Sequence, residues 1–413
     1  MRSYHGLTWD HPRGRAALEE AARQSREQTG LDLRWSTHSL EGFESSPIAE
    51  LAEKYDIIVL DHPHLGEALE HDSLLPLDEL FGANELAVLA EQTVGPALDS
   101  YVYQGHLWAL PLDAATQVGA MRGDLFGDAV VHAPETWSEV DALADQGRVA
   151  LSLAGPHAFL TFASVCVALG EEPATGDEFI SPEIGAAALE LLTRLADRAP
   201  AESDRLNPIA MLQAMSAGDS IAYCPLIFGY VNYTSPHCDR PLTFVDAPAK
   251  EIYGRPGSTI GGTGLALTRR CEPGPELLKH LRWLLAPEIQ RVFIPEHEGQ
   301  PSAHQAWEDK AVNQASDNFY RNTRRTIDQS WVRPRYRGYI QFQTDASALL
   351  RSVLAREITP AAGLNELQRL FAASVAGSTA SGALFAEPAA PAAPFAEPAA
   401  PAAPVPPTEG RPS

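Results

Sequence analysis

The chain has 413 residues, 54 of them acidic and 31 basic, for a net charge of −23. That length allows two or three domain-sized units or one large bilobal body, and 45% hydrophobic residues supply a sizeable core. The acidic balance argues against nucleic-acid partners and against adhesion to anionic lipid.

The first residues, MRSYHGLTWDHPRG, pass straight into a strand and a turn. No positively charged segment leads into a long apolar stretch there, which predicts a cytoplasmic protein as written, or a periplasmic or cell-surface one if a leader lies upstream. No apolar run approaches the ~20 residues that span a bilayer, so no membrane insertion is expected. Ala16–Thr29 has a helical pattern stopped by Gly30, and LDLRWST then reads as a strand. IAELAEKY follows as a helix and DIIVLD as a buried strand. This βαβ rhythm predicts an α/β fold with parallel pairing and right-handed crossovers. Ser181-Pro182 and Asn207-Pro208 each pair an N-cap residue with a first-turn proline, opening helices to about Arg198 and to Gly218. SIAYCPL, LTFVDAP and GLALT read as further strands, and ELLKHLRWLLA as a helix ended by Pro287.

Four cysteines, Cys166, Cys224, Cys238 and Cys271, lack any C-x-x-C or zinc-type spacing and are expected as free thiols. At the far end FAEPAAPAAP occurs at Phe385–Pro394 and again at Phe395–Pro404. Pro/Ala repeats favour extended polyproline II and bury no core, so residues 375–413 are expected to form a disordered tail outside the fold.

Asp-His-Pro occurs twice, as Asp10-His11-Pro12 and Asp61-His62-Pro63, each after an apolar run. Ligands of open α/β sheets bind beyond the carboxyl ends of the strands, which is where both triplets fall. The proline forces the preceding histidine into an extended conformation. His11 and His62 are therefore expected at the mouth of one crevice.

YVYQGHLWALPLDAATQVGAMRGDLF (Tyr101–Phe126), PETWSEVDAL (Pro134–Leu143), GGTGLALTRR (Gly261–Arg270), WLLAPEIQRVF (Trp283–Phe293) and the following GQPSAHQAW occur in an order that resembles the type 1 extracellular solute-binding proteins of ABC importers. The resemblance covers roughly residues 4–370 and rests on Gly105, Trp108, Leu110-Pro111, Asp113 and Asp124-Leu125-Phe126 among others. It implies a two-lobed, periplasmic-binding-protein-like (type II) fold with a hinge and a ligand cleft between the lobes. Chain crossings near Pro111–Ala114 and Gly261–Gly264 would put 1–112 and 263–311 in lobe one, and 113–262 and 312–374 in lobe two. A monomer working with ABC permease subunits is the implied arrangement.

The candidate ligand-binding residues are Trp9, Asp10, His11, Asp61 and His62, with His64 behind, from lobe one. Asp113 and Gly262 come from the crossings and Gln300 from the following loop. The aromatic stretch after Cys224 adds Phe228, Tyr230, Asn232 and Tyr233, with Tyr223 read as core. Aromatic faces with a few polar groups suit a small polar organic ligand. The arginine-rich stretch Phe319–Gln343 is expected to lie on solvated helix faces and to clamp the lobe against acidic neighbours, with Arg335 or Arg337 gripping a carboxylate or phosphate in the cleft as the sharper alternative. Two rival readings stay open: a cytoplasmic enzyme using His11, His62 and Asp61 as acid and base with Cys224 as nucleophile, and a cytoplasmic sensor or carrier. No cofactor or metal is expected, since no nucleotide loop and no fixed-spacing ligand set is present.

Overall fold

A computed structural model describes residues 3–126 and 132–379. The first strand, β1 (Ser3–Trp9), runs into α1 (Pro12–Thr29), whose entry is set by the first Asp-His-Pro triplet. His11, extended before the proline, is the N-cap, and its Nδ1 accepts from the Arg13 backbone N–H at 3.1 Å. The helix therefore starts four residues before the expected Ala16, and Gly30 closes it in the left-handed conformation (φ 74°). Its buried face is Ala17, Leu18, Ala21 and Ala22, one stripe at helical spacing.

β2 (Asp32–His38) lies parallel to β1, and the short helix α2 (Leu40–Ser45) follows, capped by Ser39. β3 (Ile57–Leu60), four fully buried residues, pairs parallel with β1 on its other edge. The long strand β4 (Leu110–Met121) is buried along all twelve residues. The helix α3 (His157–Leu169) precedes three further strands, β5 (Tyr223–Phe228), β6 (Thr243–Val245) and β7 (Ile260–Leu267). The seven-stranded sheet has the order β2-β1-β3-β7-β4-β5, with β6 also on β4. β7 runs antiparallel to both β3 and β4, and the register along β4 shifts between Pro111 and Asp113.

Because β4 pairs with β7 over its first half and with β5 and β6 over its second, one strand runs through two packing units. One core gathers Trp9, Leu18, Ile58, Leu60, Leu110 and Leu267. Beyond it Phe159, Phe162, Tyr223 and Phe342 form a second core, and Val118, Ile227, Ile260 and Trp307 a third. These are two α/β lobes. Two late helices, α4 (Tyr339–Leu354) and α5 (Pro360–Thr379), pack on the second lobe.

α5 carries the structure past residue 374. Leu367 and Phe371 are buried, and Ser374 Oγ stands 2.7 Å from the Tyr336 hydroxyl, so this helix belongs to the fold and residues 375–379 are not part of a tail. The Pro/Ala repeats lie outside the described residues. Among the described residues no helix is long and apolar enough to cross a membrane.

Candidate functional site

β1 and β3 are parallel neighbours, so the chain leaves both at the same end of the sheet. β4 and β7 bring Ala114 opposite Gly262 and Asp113 opposite Thr263. A cleft of about 60 Å³ opens there between the lobes, several times the ~10–15 Å³ that one water needs. Trp9, Arg13, Glu44, Asp61 and His64 face it from the first lobe, and His157, Phe228, Tyr230 and Arg333 from the second. Ala115, Gly261, Gly262 and Thr263 complete the wall. Gly262 has φ +91°, and a Cβ there would stand 2.4 Å from the Asp113 carbonyl oxygen, so only glycine fits this wall.

Of the residues expected at the site, Trp9, Asp61, Phe228, Tyr230 and Gly262 line the cleft. The two triplets do different work. In the first, Asp10 is exposed and paired with Arg15 at 3.2 Å, while His11 caps α1 and packs edge-on against Tyr230 at 4.8 Å. In the second, Asp61 caps the turn His62–His64 and faces the cleft, whereas His62 is buried against Tyr101. Asp113 and Gln300 line a smaller recess behind the cleft. Gln300 there ties Val231 N–H (2.9 Å) to the Ala114 carbonyl (3.1 Å). Asn232 donates to the Glu298 carbonyl and Tyr233 to that of Ile209, both outside the cleft.

The electrostatics are built from closed pairs. Arg13, on the first turn of α1, grips Asp113 through Nε at 2.8 Å and Nη2 at 2.5 Å, both side chains being 4% exposed. Its Nη1 also donates to the Gly229 carbonyl at 2.9 Å, and the guanidinium lies 4.6 Å from the Tyr230 ring centre. Burial alone would lower the Arg13 pKa, and the Asp113 carboxylate outweighs it, raising the pKa above the ordinary value. Arg333 pairs with Asp61 and donates to Gln343 Oε1 at 3.2 Å. Burial would push the Asp61 carboxyl up, yet Arg333 and His62 hold it well below the usual carboxylate range. His11, His62 and His64 are each lowered to about 4, chiefly by burial, so all three are neutral at pH 7.

Arg13, Glu44, His157 and Arg333 are the charged or titratable cleft residues that pattern reasoning missed. Arg13 looked like an ordinary helix residue, and Arg333 sat beside Arg335 and Arg337, the two that the sharper alternative sent to the cleft. Those two turn elsewhere: Arg335 donates to the Asp99 and Ser100 carbonyls, and Arg337 pairs with Glu70 at 2.5 Å. Of the residues named for the enzymatic alternative, Asp61 alone lines the cleft. Cys224 is fully buried and its thiol is pushed up to about 12 by burial, while His11 and His62 do not line the cleft. Among the described residues no group of three His, Cys, Asp or Glu side chains gathers as a metal site would require.

Two α/β lobes joined by shared strands, with a cleft walled by both at the strand ends, define a solute-binding protein that closes on a small ligand. The chain belongs to the bacterial extracellular solute-binding protein family, whose profile matches residues 26–315. No curated protein matches it in sequence. Solved structures with the same fold include a solute-binding protein of an ABC transporter from Agrobacterium radiobacter K84 in complex with ribitol, at 20% identity and a TM-score of 0.75, covering 90% of this chain and 98% of that one. Another, from Thermotoga lettingae TMO and bound with α-D-tagatose, shows 16% identity, a TM-score of 0.75 and coverage of 91% and 100%. A third, from Agrobacterium vitis S4 with bound D-mannitol, shows 17% identity, a TM-score of 0.71 and coverage of 92% and 99%.

Proposed function

We propose that the cleft takes a small, neutral, polyhydroxylated molecule, a polyol or a monosaccharide, for delivery to the permease of an ABC importer outside the cytoplasmic membrane. One observation carries this reading. Five lining residues keep buried side-chain polar atoms without a hydrogen-bond partner: His157 at the lobe border, and Trp9 Nε1, His64 Nδ1, Thr263 Oγ1 and Arg333 Nε around the rest of the cleft. Buried polar groups are almost always paired, so a ligand with several hydroxyl groups is what these atoms lack. Charge selects further. Arg13 and Arg333, the arginines lining the cleft, are already neutralised by Asp113 and Asp61, so neither is uncommitted for a carboxylate or phosphate. Trp9, Phe43, Phe228 and Tyr230 supply the apolar faces on which the C–H face of a sugar-like ligand packs. The acid–base enzyme finds no such support.

Calorimetry with ribitol, D-mannitol and D-tagatose tests the reading, with glycerol 3-phosphate and glutamate as charged controls. At least one neutral ligand should bind, and Trp9→Ala should weaken it by about 1–3 kcal/mol, roughly fivefold to 150-fold. Tight binding of a charged control with none of the neutral ligands would overturn it.

A further inference from the structure

Glu44 and His157 meet from opposite sides of the cleft. Glu44 lies on α2 of the first lobe and His157 opens α3 of the second, with Glu44 Oε1 3.2 Å from His157 Nε2. The imidazole is only 2% exposed, and neither ring nitrogen has a partner in hydrogen-bond geometry. A second attraction acts on the same carboxylate. α3 is thirteen residues long and has no side-chain cap, its N-cap position being Pro156. Glu44 Oε2 would lie 3.8 Å from a Cβ at Gly155, just ahead of that helix. A carboxylate there supplies the negative charge that an uncapped helix N-terminus favours.

We propose that Glu44 is a closure latch: a residue of one lobe that docks on His157 and the start of α3 in the other, and so holds the closed form. Both attractions need the lobes together, because their partners sit on different lobes. The ligand itself is recognised elsewhere in the cleft. Glu44 is a positioning residue that sets how long the cleft stays shut. The inference deepens the solute-binding reading and rests on it only for the ligand-bound measurement.

Small-angle scattering of the ligand-free protein tests the latch without any ligand, comparing wild type with Glu44→Gln, Glu44→Lys and Glu44→Gln/His157→Gln. The expected result is a larger radius of gyration in each variant, with the closed-to-open ratio falling about threefold to tenfold, between the effects of an exposed pair and of a fully buried one. The double variant should be no more open than Glu44→Gln alone, since the two side chains share one interaction. With whichever of ribitol, D-mannitol or D-tagatose binds, dissociation should be threefold to tenfold faster and association unchanged. Scattering curves identical to wild type overturn the latch, and so does a slower association with unaltered dissociation, which would make Glu44 a recognition residue. Failure of all three ligands to bind refutes the polyol reading alone, and the scattering still decides the latch.

Discussion

Arg13→Met is the most informative single change, because its cost follows from counted contacts. The substitution removes three hydrogen bonds: two to the Asp113 carboxylate, at 2.8 and 2.5 Å, and one to the Gly229 carbonyl at 2.9 Å. It also leaves Asp113, 4% exposed, as a buried carboxylate without its cation. Breaking a buried pair from one side costs about 3–5 kcal/mol, whereas replacing both partners by apolar groups is often close to neutral. Arg13→Met should therefore lose about 3–5 kcal/mol in guanidinium unfolding followed by tryptophan fluorescence. Arg13→Met/Asp113→Leu should regain at least half of that loss. A single variant losing under about 1 kcal/mol, or a double variant worse than the single, would show that charge burial is not what the pair manages at this junction.

The buried histidines set the acid limit. His62, His64 and His280 have pKa values near 4 in the folded chain against 6.5 ordinarily, all lowered chiefly by burial. Between those values the unfolded chain binds protons that the folded one does not. Stability should thus be level from pH 7 to 8 and fall as the pH drops from about 6.5 towards 4, by up to about 3 kcal/mol per histidine; unfolding midpoints unchanged from pH 7 to 4.5 would contradict this. Gly262→Ala places a Cβ 2.4 Å from the Asp113 carbonyl oxygen at a φ of +91°, so it should cost about 1–3 kcal/mol and lower ligand affinity. A thermal melt and an affinity both equal to wild type would mean the crossing relaxes freely.

Much of the fold was legible because its signals are local. The runs DIIVLD and GLALT are short apolar stretches, and Gly30, Ser181-Pro182 and Asn207-Pro208 mark helix ends with groups whose geometry is intrinsic. The site was legible only in part. Strand ends point to Trp9 and Asp61, both of which line the cleft, because the end of a parallel strand is a position that pattern can find. Which of Asp, His or the following Arg turns inwards is decided by capping: His11 is spent on the α1 amide, which sends Arg13 rather than His11 into the cleft. Arg333 was hidden for a similar reason. Its role depends on Asp61, 272 positions away, while Arg335 and Arg337 are held by carbonyls and a carboxylate elsewhere on the surface.

The irregularity between Pro111 and Asp113 has a consequence for how this chain tolerates insertions and deletions. β4 is continuous through both lobes, and side chains along a strand alternate between its two faces. The shifted register at Leu112 breaks that alternation once, at the border, so the faces of the two halves are offset by one step relative to an unbroken strand. Asp113 reaches the recess beside Arg13, and Ala115 the cleft wall, under that offset. Pro111 pairs with Gly264 and Asp113 with Thr263, so Leu112 is the extra residue: removing it would keep both pairings and restore an unbroken alternation, with neither half turned over. Leu112 is thus a place where the crossing can lose a residue and keep its register, whereas a deletion among Ala114, Ala115 and Thr116, which pair one to one with β7, would turn the side chains beyond it to the wrong lobe face.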